Sequence, residues 1–348
     1  MGMDFGRAGR SAAATAAVAA AAVLAGCGGA AGPGGGSEGN AITVYSGQHE
    51  QTATLLAKDF RARTGITVNL RSSDEAALAN QVLREGSDSP ADVFFAENPP
   101  ALTVLDRAGL LTPAAPSALA EVPARYNSPK GDWVGVSARS AVLVYNTTKL
   151  AAGALPGALQ DLAGPTWKGK IGFAPTETDF QPLIAALVKL RGRPAAVSWL
   201  EGLKADGKVY DSNETLVNAV NRGEIAAGLI DHYYWYRLRD EVGPGKVKSA
   251  LHYFGPGDPG ALVDVSGAAA LKSSRHPAQA QRFLAYLASA PAQRIVARSE
   301  SYEYPLGSGV TTEKALRPFA DLRPPAVSID DLGDGRASLM LLQQVGLI

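Results

Sequence analysis

This sequence of 348 residues is poor in cysteine and histidine and carries no excess of either charge. Its one cysteine, Cys27, excludes an internal disulfide, so an exported domain would have to rely on its hydrophobic core. The 33 basic and 33 acidic side chains balance, which gives no bulk attraction for nucleic acid or an anionic membrane. Four histidines and one cysteine also disfavour a zinc site. We therefore expect no nucleic-acid partner.

Signatures of catalysis are also scarce. The sequence has no HExxH motif, and its candidate nucleophiles and bases are scattered. Gly164 to Lys170 have the spacing of a phosphate-binding loop, but Ile171 stands where such a loop requires serine or threonine. We therefore predict that the protein is not an enzyme.

The N-terminus carries the marks of an export signal. Two arginines precede an apolar run, residues 12–23, that is too short to span a membrane and is typical of a secretory signal. The sequence LAGC that ends at Cys27 resembles a bacterial lipobox, which implies cleavage before Cys27 and its lipidation. The alternative is an ordinary signal peptide that is cleaved elsewhere. We predict a lipoprotein signal peptide over residues 1–27 and a flexible glycine-rich tether over 28–40.

From residue 41 onward, the pattern alternates between strands and helices. AITVYSG predicts a strand that ends in glycine, and Ala53, Leu56, Ala57 and Phe60 then recur at helical spacing. Such alternation is typical of βαβ units with mostly parallel sheets. A last helix is predicted over 331–345. The predicted strands cover 41–47, 66–70, 91–96, 141–146, 170–174, 208–211, 224–230 and 261–271.

We predict an α/β fold of two lobes with a cleft between them. ALVDVSGAAAL, residues 261–271, is typical of a strand that returns to the first lobe. Strands that cross between lobes would form a hinge beneath the cleft, where ligands usually bind. The predicted boundaries are 41–140 plus 266–316 for lobe 1 and 141–265 plus 317–348 for lobe 2.

Three polar clusters follow predicted strands at the edge where ligands of α/β sheets bind. Alone, each is unremarkable: His49 could be a surface or capping residue, and Glu97 a solvated turn carboxylate. Adjacent tyrosines on a helix point in different directions, however, so one packing surface does not explain Tyr233 and Tyr234. Together the clusters predict one site with an imidazole, a carboxylate and two phenols. The clusters are Gln48-His49, Glu97-Asn98 and Asp231 to Tyr234.

This set of side chains favours a hard, highly charged metal ion. Carboxylates select hard cations, imidazole accepts most transition ions, and a phenol becomes a ligand only when an acidic ion displaces its proton. Ferric iron does this best, and the start of a helix near Asp231 would further favour phenolate. The alternative is that the YYWY aromatics hold an organic solute such as thiamine, a polyamine or a sugar.

Over nearly its whole mature length, the chain resembles the FbpA-type ferric-iron-binding proteins of bacterial ABC importers. The resemblance implies the two-lobed periplasmic-binding-protein type 2 (Venus-flytrap) fold with crossover strands at the hinge. It also implies that His49, Glu97, Tyr233 and Tyr234 ligate Fe(III). The segments that carry it, in the family's order, are ITVYSGQHEQT, DEAALANQVLREG, SPADVFFAEN, GVSARSAVLVYNTTKL, WKGKIGF, DHYYWYRLRDEVG and DPGALVDVSGAA.

One part of the sequence departs from the family pattern. Phosphate-using members complete the iron coordination with a synergistic anion, held by a Ser-Gly-Ala-like turn and by asparagines. Here the turn reads TETD and contributes Glu177 and Asp179, and Asp231 replaces an asparagine, whereas Asn213 matches. Acids would repel a phosphate dianion, so we expect water, a carboxylate such as citrate, or one of these three acids in its place. The alternative is that the acids only line the rim of the cleft.

The resemblance implies an extracytoplasmic protein that captures ferric iron, free or as a chelate, and delivers it to the permease of an ABC importer. We expect a monomer at the outer face of the cytoplasmic membrane, attached only through lipid on Cys27. Arg139, near the expected hinge, is predicted to pair with a cleft carboxylate. Iron should draw the lobes together, because only the closed form offers all four ligands. The alternatives are a receptor of the same fold for a small organic solute and a scaffold lipoprotein without a ligand.

Overall fold

A computed structural model of the chain describes residues 40–307, 309–312 and 314–348. The predicted signal peptide, Cys27 and the tether up to residue 39 lie outside these ranges. Within them, no helix combines the length and the apolar character that crossing a bilayer requires.

Eleven strands are found in this part of the chain. They are β1 (Ala41–Ser46), β2 (Thr67–Ser72), β3 (Val93–Ala96), β4 (Leu111–Thr112), β5 (Val134–Asn146), β6 (Ile171–Phe173), β7 (Lys208–Val209), β8 (Ala227–Asp231), β9 (Ser249–His252), β10 (Val263–Leu271) and β11 (Tyr304–Pro305).

Twelve α-helices connect and cover these strands within the described ranges. They are α1 (Glu50–Thr64), α2 (Glu75–Glu85), α3 (Pro99–Arg107), α4 (Pro116–Ala120), α5 (Phe180–Arg191), α6 (Arg193–Asp206), α7 (Asn213–Arg222), α8 (His232–Val242), α9 (Pro277–Ala288), α10 (Ala290–Arg298), α11 (Ile329–Leu332) and α12 (Arg336–Val345).

One long strand, β5, runs through both halves of the sheet. The strand order is β2-β1-β3-β10-β5-β8-β6-β7. The first part of β5 pairs with β10 and β11, and from Ala141 onward it pairs with β8 and β9. The change of partner falls between Ser140 and Ala141, one residue beyond Arg139. We call the half built on β1, β2 and β3 lobe 1, and the half built on β6, β7 and β8 lobe 2.

Each lobe has its own apolar core. The predicted apolar face of α1 is buried, and Phe60 packs edge-on against Phe283 of α9 in lobe 1. In lobe 2, Phe180 stacks on Trp199, which joins α5 to α6. Leu342 of α12 belongs to the same cluster, so the C-terminal helix completes the core of lobe 2. The predicted fold class, two α/β lobes joined by crossover strands, is confirmed by this architecture.

The elements differ from the predicted ones where glycine or a buried polar run changes the local pattern. The helix predicted over 331–345 is two helices, because Gly333 and Gly335 adopt positive φ values of 64° and 79° that break the chain direction. Strand β5 begins at Val134 rather than residue 141. The polar stretch around Arg139 is part of this strand, since its side chains are buried between the lobes.

Candidate metal centre

The end of β1 delivers His49 to the cleft. Gly47 turns the chain close to α2, where a Cβ atom would overlap Glu75. The Gln48 side chain accepts a hydrogen bond from the His49 backbone N–H at 2.6 Å and so fixes the start of α1. Nε2 of His49 is buried and has no hydrogen-bond partner among the described residues. A buried ring nitrogen left in this way is suited to a ligand.

The end of β3 delivers Glu97, and Glu75 holds that turn. The Glu75 carboxylate accepts the backbone N–H groups of Glu97 and Asn98, each at 2.8 Å, and the Asn98 side-chain amide at 2.6 Å. Burial and the neighbouring Glu97 raise the pKa of Glu75 to about 8, although the two hydrogen bonds from Asn98 and the charge of Arg139 act in the opposite direction. Through these hydrogen bonds, Glu75 holds the Glu97 loop in position.

The two tyrosines lie in the first turn of α8, which follows β8 without a loop. Their rings stack on each other with centroids 4.1 Å apart, and both side chains are buried. Burial is the largest cause that raises the pKa of Tyr233 well above its ordinary value, and the negative charge of Glu97 is the second. Burial, as the largest cause, and the negative charge of Asp179, as the second, also raise the pKa of Tyr234 well above its ordinary value. Both phenols therefore keep their protons at neutral pH unless a cation replaces them.

The other aromatic side chains of this segment serve packing. Trp235 donates its indole N–H to Ser249, and Tyr236 stacks on Tyr302. The His232 ring accepts the backbone N–H of Ser140 at Nδ1, while Nε2 lies 2.8 Å from the Tyr302 carbonyl oxygen. Burial lowers the pKa of His232 to about 3, so the ring stays neutral and ties α8 to β5.

The side chains from the two lobes meet at Glu97. The Tyr233 hydroxyl donates to Oε1 of Glu97 at 3.1 Å, and the same oxygen lies 3.7 Å from Nε2 of His49. The imidazole also contacts the Tyr233 ring edge-on, with centroids 4.8 Å apart. Tyr234 lies beside Tyr233 in the ring stack. The structure therefore gathers all four residues predicted as ligands into one place.

Arg139 lies beneath this site and is fully buried. Its Nε atom is 3.1 Å from Asp231 and 3.9 Å from Glu97. Its terminal nitrogens lie 3.6 Å from Asp264 and 3.8 Å from Glu303, and donate to the Glu97 carbonyl and the Asn98 side chain. The predicted contact with a cleft carboxylate is thus present, and it involves four carboxylates rather than one.

The surrounding carboxylates stabilise the positive charge of Arg139. Burial opposes it, but the surrounding carboxylates keep the pKa of Arg139 well above its ordinary value. Burial also raises the pKa of Asp231 to about 7 and that of Asp264 to about 6, against the attraction of the guanidinium. Two of the carboxyl groups around Arg139 therefore hold a proton more readily than an ordinary aspartate does.

The predicted co-ligand positions lie on the lobe 2 side of the cleft. Asn213 donates its side-chain amide to Asp179 at 2.8 Å and its backbone N–H to Glu177 at 3.2 Å. The Asn98 side chain of lobe 1 donates to Thr178 at 3.2 Å, which links this turn to the Glu97 loop. Partial burial, followed by the charges of Asp231 and Glu177, raises the pKa of Asp179 well above its ordinary value.

Sequence reasoning missed Glu303, which lies close to His49. One ligand atom each of His49, Glu97 and Glu303 fall within 4.8 Å of one another. Glu303 is buried and accepts hydrogen bonds from Gln48 at 3.2 Å and from Ser137 at 2.9 Å. No predicted strand ends there, so topology gave no signal. The only hint is a charged residue between two aromatics in the segment SYEYP.

A separate cavity of about 950 Å³ lies apart from the four predicted ligands. It is lined largely by prolines and apolar side chains, among them Pro99, Tyr126 and Phe319, and none of the four predicted ligands lines it. The convergence of ligand atoms, rather than cavity size, therefore marks the candidate site.

Comparison with known proteins defines the class. The profile of a family described as bacterial extracellular solute-binding protein matches residues 56–316, and the chain belongs to that class. The major ferric iron-binding protein of Neisseria meningitidis serogroup B is 43% identical over 311 residues, which cover 88% of this chain and 93% of that protein. Iron-bound HitA from Pseudomonas aeruginosa has a TM-score of 0.84 and 45% identity, and the match covers 88% of this chain and 99% of HitA.

A third relative has been solved with bound ligands. The Trichodesmium protein IdiA (FutA), in complex with iron and citrate, gives a TM-score of 0.78 at 30% identity, over 88% of this chain and 99% of that one. Within the solute-binding class, the chain is thus a member of the FbpA-type ferric-iron-binding family. The predicted resemblance is confirmed.

Proposed function

We propose that this protein captures ferric iron between its two lobes and delivers it to an ABC importer. His49 and Glu97 of lobe 1 and Tyr233 and Tyr234 of lobe 2 are the proposed ligands. The ion is cargo that is bound and released, so the cleft needs no catalytic group. The relatives named for ferric iron support this choice of ligand.

One observation carries the proposal. Glu97 Oε1 lies within 3.1 Å of the Tyr233 hydroxyl and 3.7 Å of the unpartnered His49 Nε2. The phenol proton of Tyr233 now lies in the hydrogen bond to the Glu97 carboxylate. A trivalent cation would displace this proton and bind the phenolate, the carboxylate and the His49 imidazole. The stacked Tyr234 adds a second phenol. An organic solute finds less support, because Trp235 and Tyr236 are engaged in packing.

The proposal also covers the lobe boundaries and the location of the protein. Lobe boundaries at 41–140 plus 266–316 and 141–265 plus 317–348 are supported by the change of β5 partner after Ser140. The extracellular class of the family supports an extracytoplasmic location.

We further propose a monomer anchored through lipid on Cys27 that presents iron to a permease. Phosphate is a disfavoured co-ligand, because Glu177, Asp179 and Asp231 border its expected position.

The direct test is a titration of the purified protein with ferric citrate, followed by visible absorption. We expect an orange-red band that saturates at one iron per chain, because ferric phenolate coordination produces such a charge-transfer transition. An absence of the band, with no iron retained after gel filtration, would refute the proposal. A thermal shift with thiamine, a polyamine or a sugar in place of iron would favour an organic solute instead.

Iron affinity should fall steeply as the pH is lowered. The pKa values of both tyrosines are raised, so the phenols are protonated at neutral pH and each must lose a proton to bind iron. Because the two phenols release two protons when iron binds, the iron affinity should change by about 100-fold per pH unit. Competition with citrate between pH 5 and pH 8, corrected for the titration of citrate itself, measures this dependence. An affinity independent of pH would contradict phenolate coordination.

A further inference from the structure

We infer that Thr178 of lobe 2 holds the cleft closed over the iron through a hydrogen bond to Asn98 of lobe 1, and that this bond slows iron release. The inference rests on the proposed function, since it concerns iron bound in the same cleft. Its basis is a contact between the lobes: the Asn98 side-chain amide donates to Oγ1 of Thr178 at 3.2 Å. Asn98 directly follows the proposed ligand Glu97, and Thr178 lies between β6 and α5. We call this contact the interlobe hydrogen bond.

Asn98 is fixed on its own side of the cleft. Its side-chain amide also donates to Glu75 at 2.6 Å, and its backbone N–H donates to the same carboxyl group at 2.8 Å. The Asn98 side-chain oxygen accepts a hydrogen bond from the Arg139 guanidinium. Because a guanidinium can only donate, the amide oxygen must face Arg139 and the amide nitrogen must face Glu75 and Thr178. The donor of the interlobe hydrogen bond is therefore set before the lobes meet.

Thr178 is fixed on the lobe 2 side. The residues before and after it both bind Asn213, the first residue of α7. The Asn213 backbone N–H donates to the Glu177 carboxylate at 3.2 Å, and the Asn213 side-chain amide donates to Asp179 at 2.8 Å. The backbone N–H of Phe180 donates to the Glu177 carbonyl at 3.2 Å and closes the turn. Thr178 therefore projects from a turn that two of its own acids attach to α7.

The interlobe hydrogen bond is coupled to the iron site through the chain itself. Glu97 meets Tyr233 of lobe 2 at 3.1 Å, and the next residue, Asn98, meets Thr178 of the same lobe. Movement of the lobes apart would separate both pairs. Since both partners of the interlobe hydrogen bond are already fixed, its formation costs little conformational entropy. The bond therefore favours the closed form that holds the iron.

A second polar contact between the lobes is less suited to this role. Arg107 of α3 lies against Asp334, which precedes α12, but the Arg107 side chain is mostly exposed and solvent screens the pair. Asn98, by contrast, is only 1% exposed. A hydrogen bond from a buried donor is not weakened by competing water to the same extent. Among these two contacts, the one to Thr178 is the better candidate for control of cleft opening.

The test measures iron release from wild type, Thr178→Val, Thr178→Ser and the control Thr176→Val. Each protein is loaded with ferric citrate, freed of unbound iron by gel filtration and mixed with a large excess of EDTA. The decay of the charge-transfer band gives the release rate. Valine has a shape similar to that of threonine but lacks the hydroxyl group, and Thr176 is an exposed threonine of the same turn. A cooperative melting transition checks that each variant is folded.

Thr178→Val should keep the band at the wild-type wavelength, because no proposed ligand is removed, and should release iron about 5-fold faster, as expected for one lost hydrogen bond. Thr178→Ser retains the hydroxyl group and should restore a rate close to that of wild type. Thr176→Val should release iron at the wild-type rate.

Two results would overturn the inference and leave the proposed function intact. One is a Thr178→Val rate equal to that of wild type, and the other is an equal acceleration in Thr178→Ser or Thr176→Val. A shifted band in Thr178→Val would also overturn it, since Thr178 would then act on the iron coordination itself. Wild type without a band would instead overturn the proposed function, and the inference with it.

Discussion

The double variant Tyr233→Phe/Tyr234→Phe is expected to lose the charge-transfer band completely and to bind ferric iron more than about 100-fold more weakly than wild type. The variant keeps both stacked rings and removes only the hydroxyl groups. Titration with ferric citrate, read by visible absorption and by iron retained after gel filtration, measures both effects. Because phenolate is the source of the colour, the band should vanish even if His49 and Glu97 retain some iron.

A loss of folding must be separated from a loss of ligands. The double variant removes the 3.1 Å hydrogen bond from Tyr233 to Glu97, which should reduce the free energy of unfolding by about 1 kcal/mol. Tyr236→Phe, in the same helix, is the matched control, since its ring stacks on Tyr302 away from Glu97. It should keep the band unchanged. A double variant as coloured as wild type would mean that these tyrosines are not ligands.

Replacement of Arg139 by methionine should be among the most destabilising single changes in the protein. It would leave Asp231, Asp264 and Glu303 buried without their cation. Breaking a buried ion pair in this way costs about 3–5 kcal/mol of unfolding free energy. Urea denaturation at neutral pH measures the loss. Arg63→Met is the control, because Arg63 is exposed and its pair with Asp59 is screened by solvent, so its loss should change the stability little.

The Arg139→Met loss should also depend on pH. Burial already raises the pKa of Asp231 to about 7 and that of Asp264 to about 6, and loss of the guanidinium would raise both further. A raised carboxyl pKa means that the folded variant binds more protons than the unfolded chain, so its stability improves as the pH falls. The destabilisation should therefore be smaller near pH 5 than at pH 8. A loss below about 1 kcal/mol at neutral pH would contradict the role of Arg139 as the common counter-ion.

Much of the fold could be predicted from local pattern. The apolar spacing from Ala53 to Phe60 and the glycine-ended strand AITVYSG correspond directly to α1 and β1, because burial and helix period determine both. The last helix could not be predicted as two pieces. Its apolar period continues across Gly333 and Gly335, and only their backbone conformation reveals the break.

The four proposed ligands could be singled out because each follows a strand or opens a helix at one sheet edge. Glu75 and Glu303 could not, since one comes from the start of α2 and the other from an irregular segment before β11. Their roles depend on contacts more than 20 positions apart in the chain, such as Glu75 with Glu97. Tertiary contacts of this kind leave no periodic trace in the sequence.

The most direct test of the central claim is a crystal structure of the iron-loaded protein with an anomalous difference map recorded at the iron edge. The account predicts one strong peak between the lobes, bonded to His49 Nε2, a Glu97 carboxylate oxygen and the phenolate oxygens of Tyr233 and Tyr234. A peak away from the two tyrosines, or no peak in crystals grown from stoichiometrically loaded protein, would contradict it.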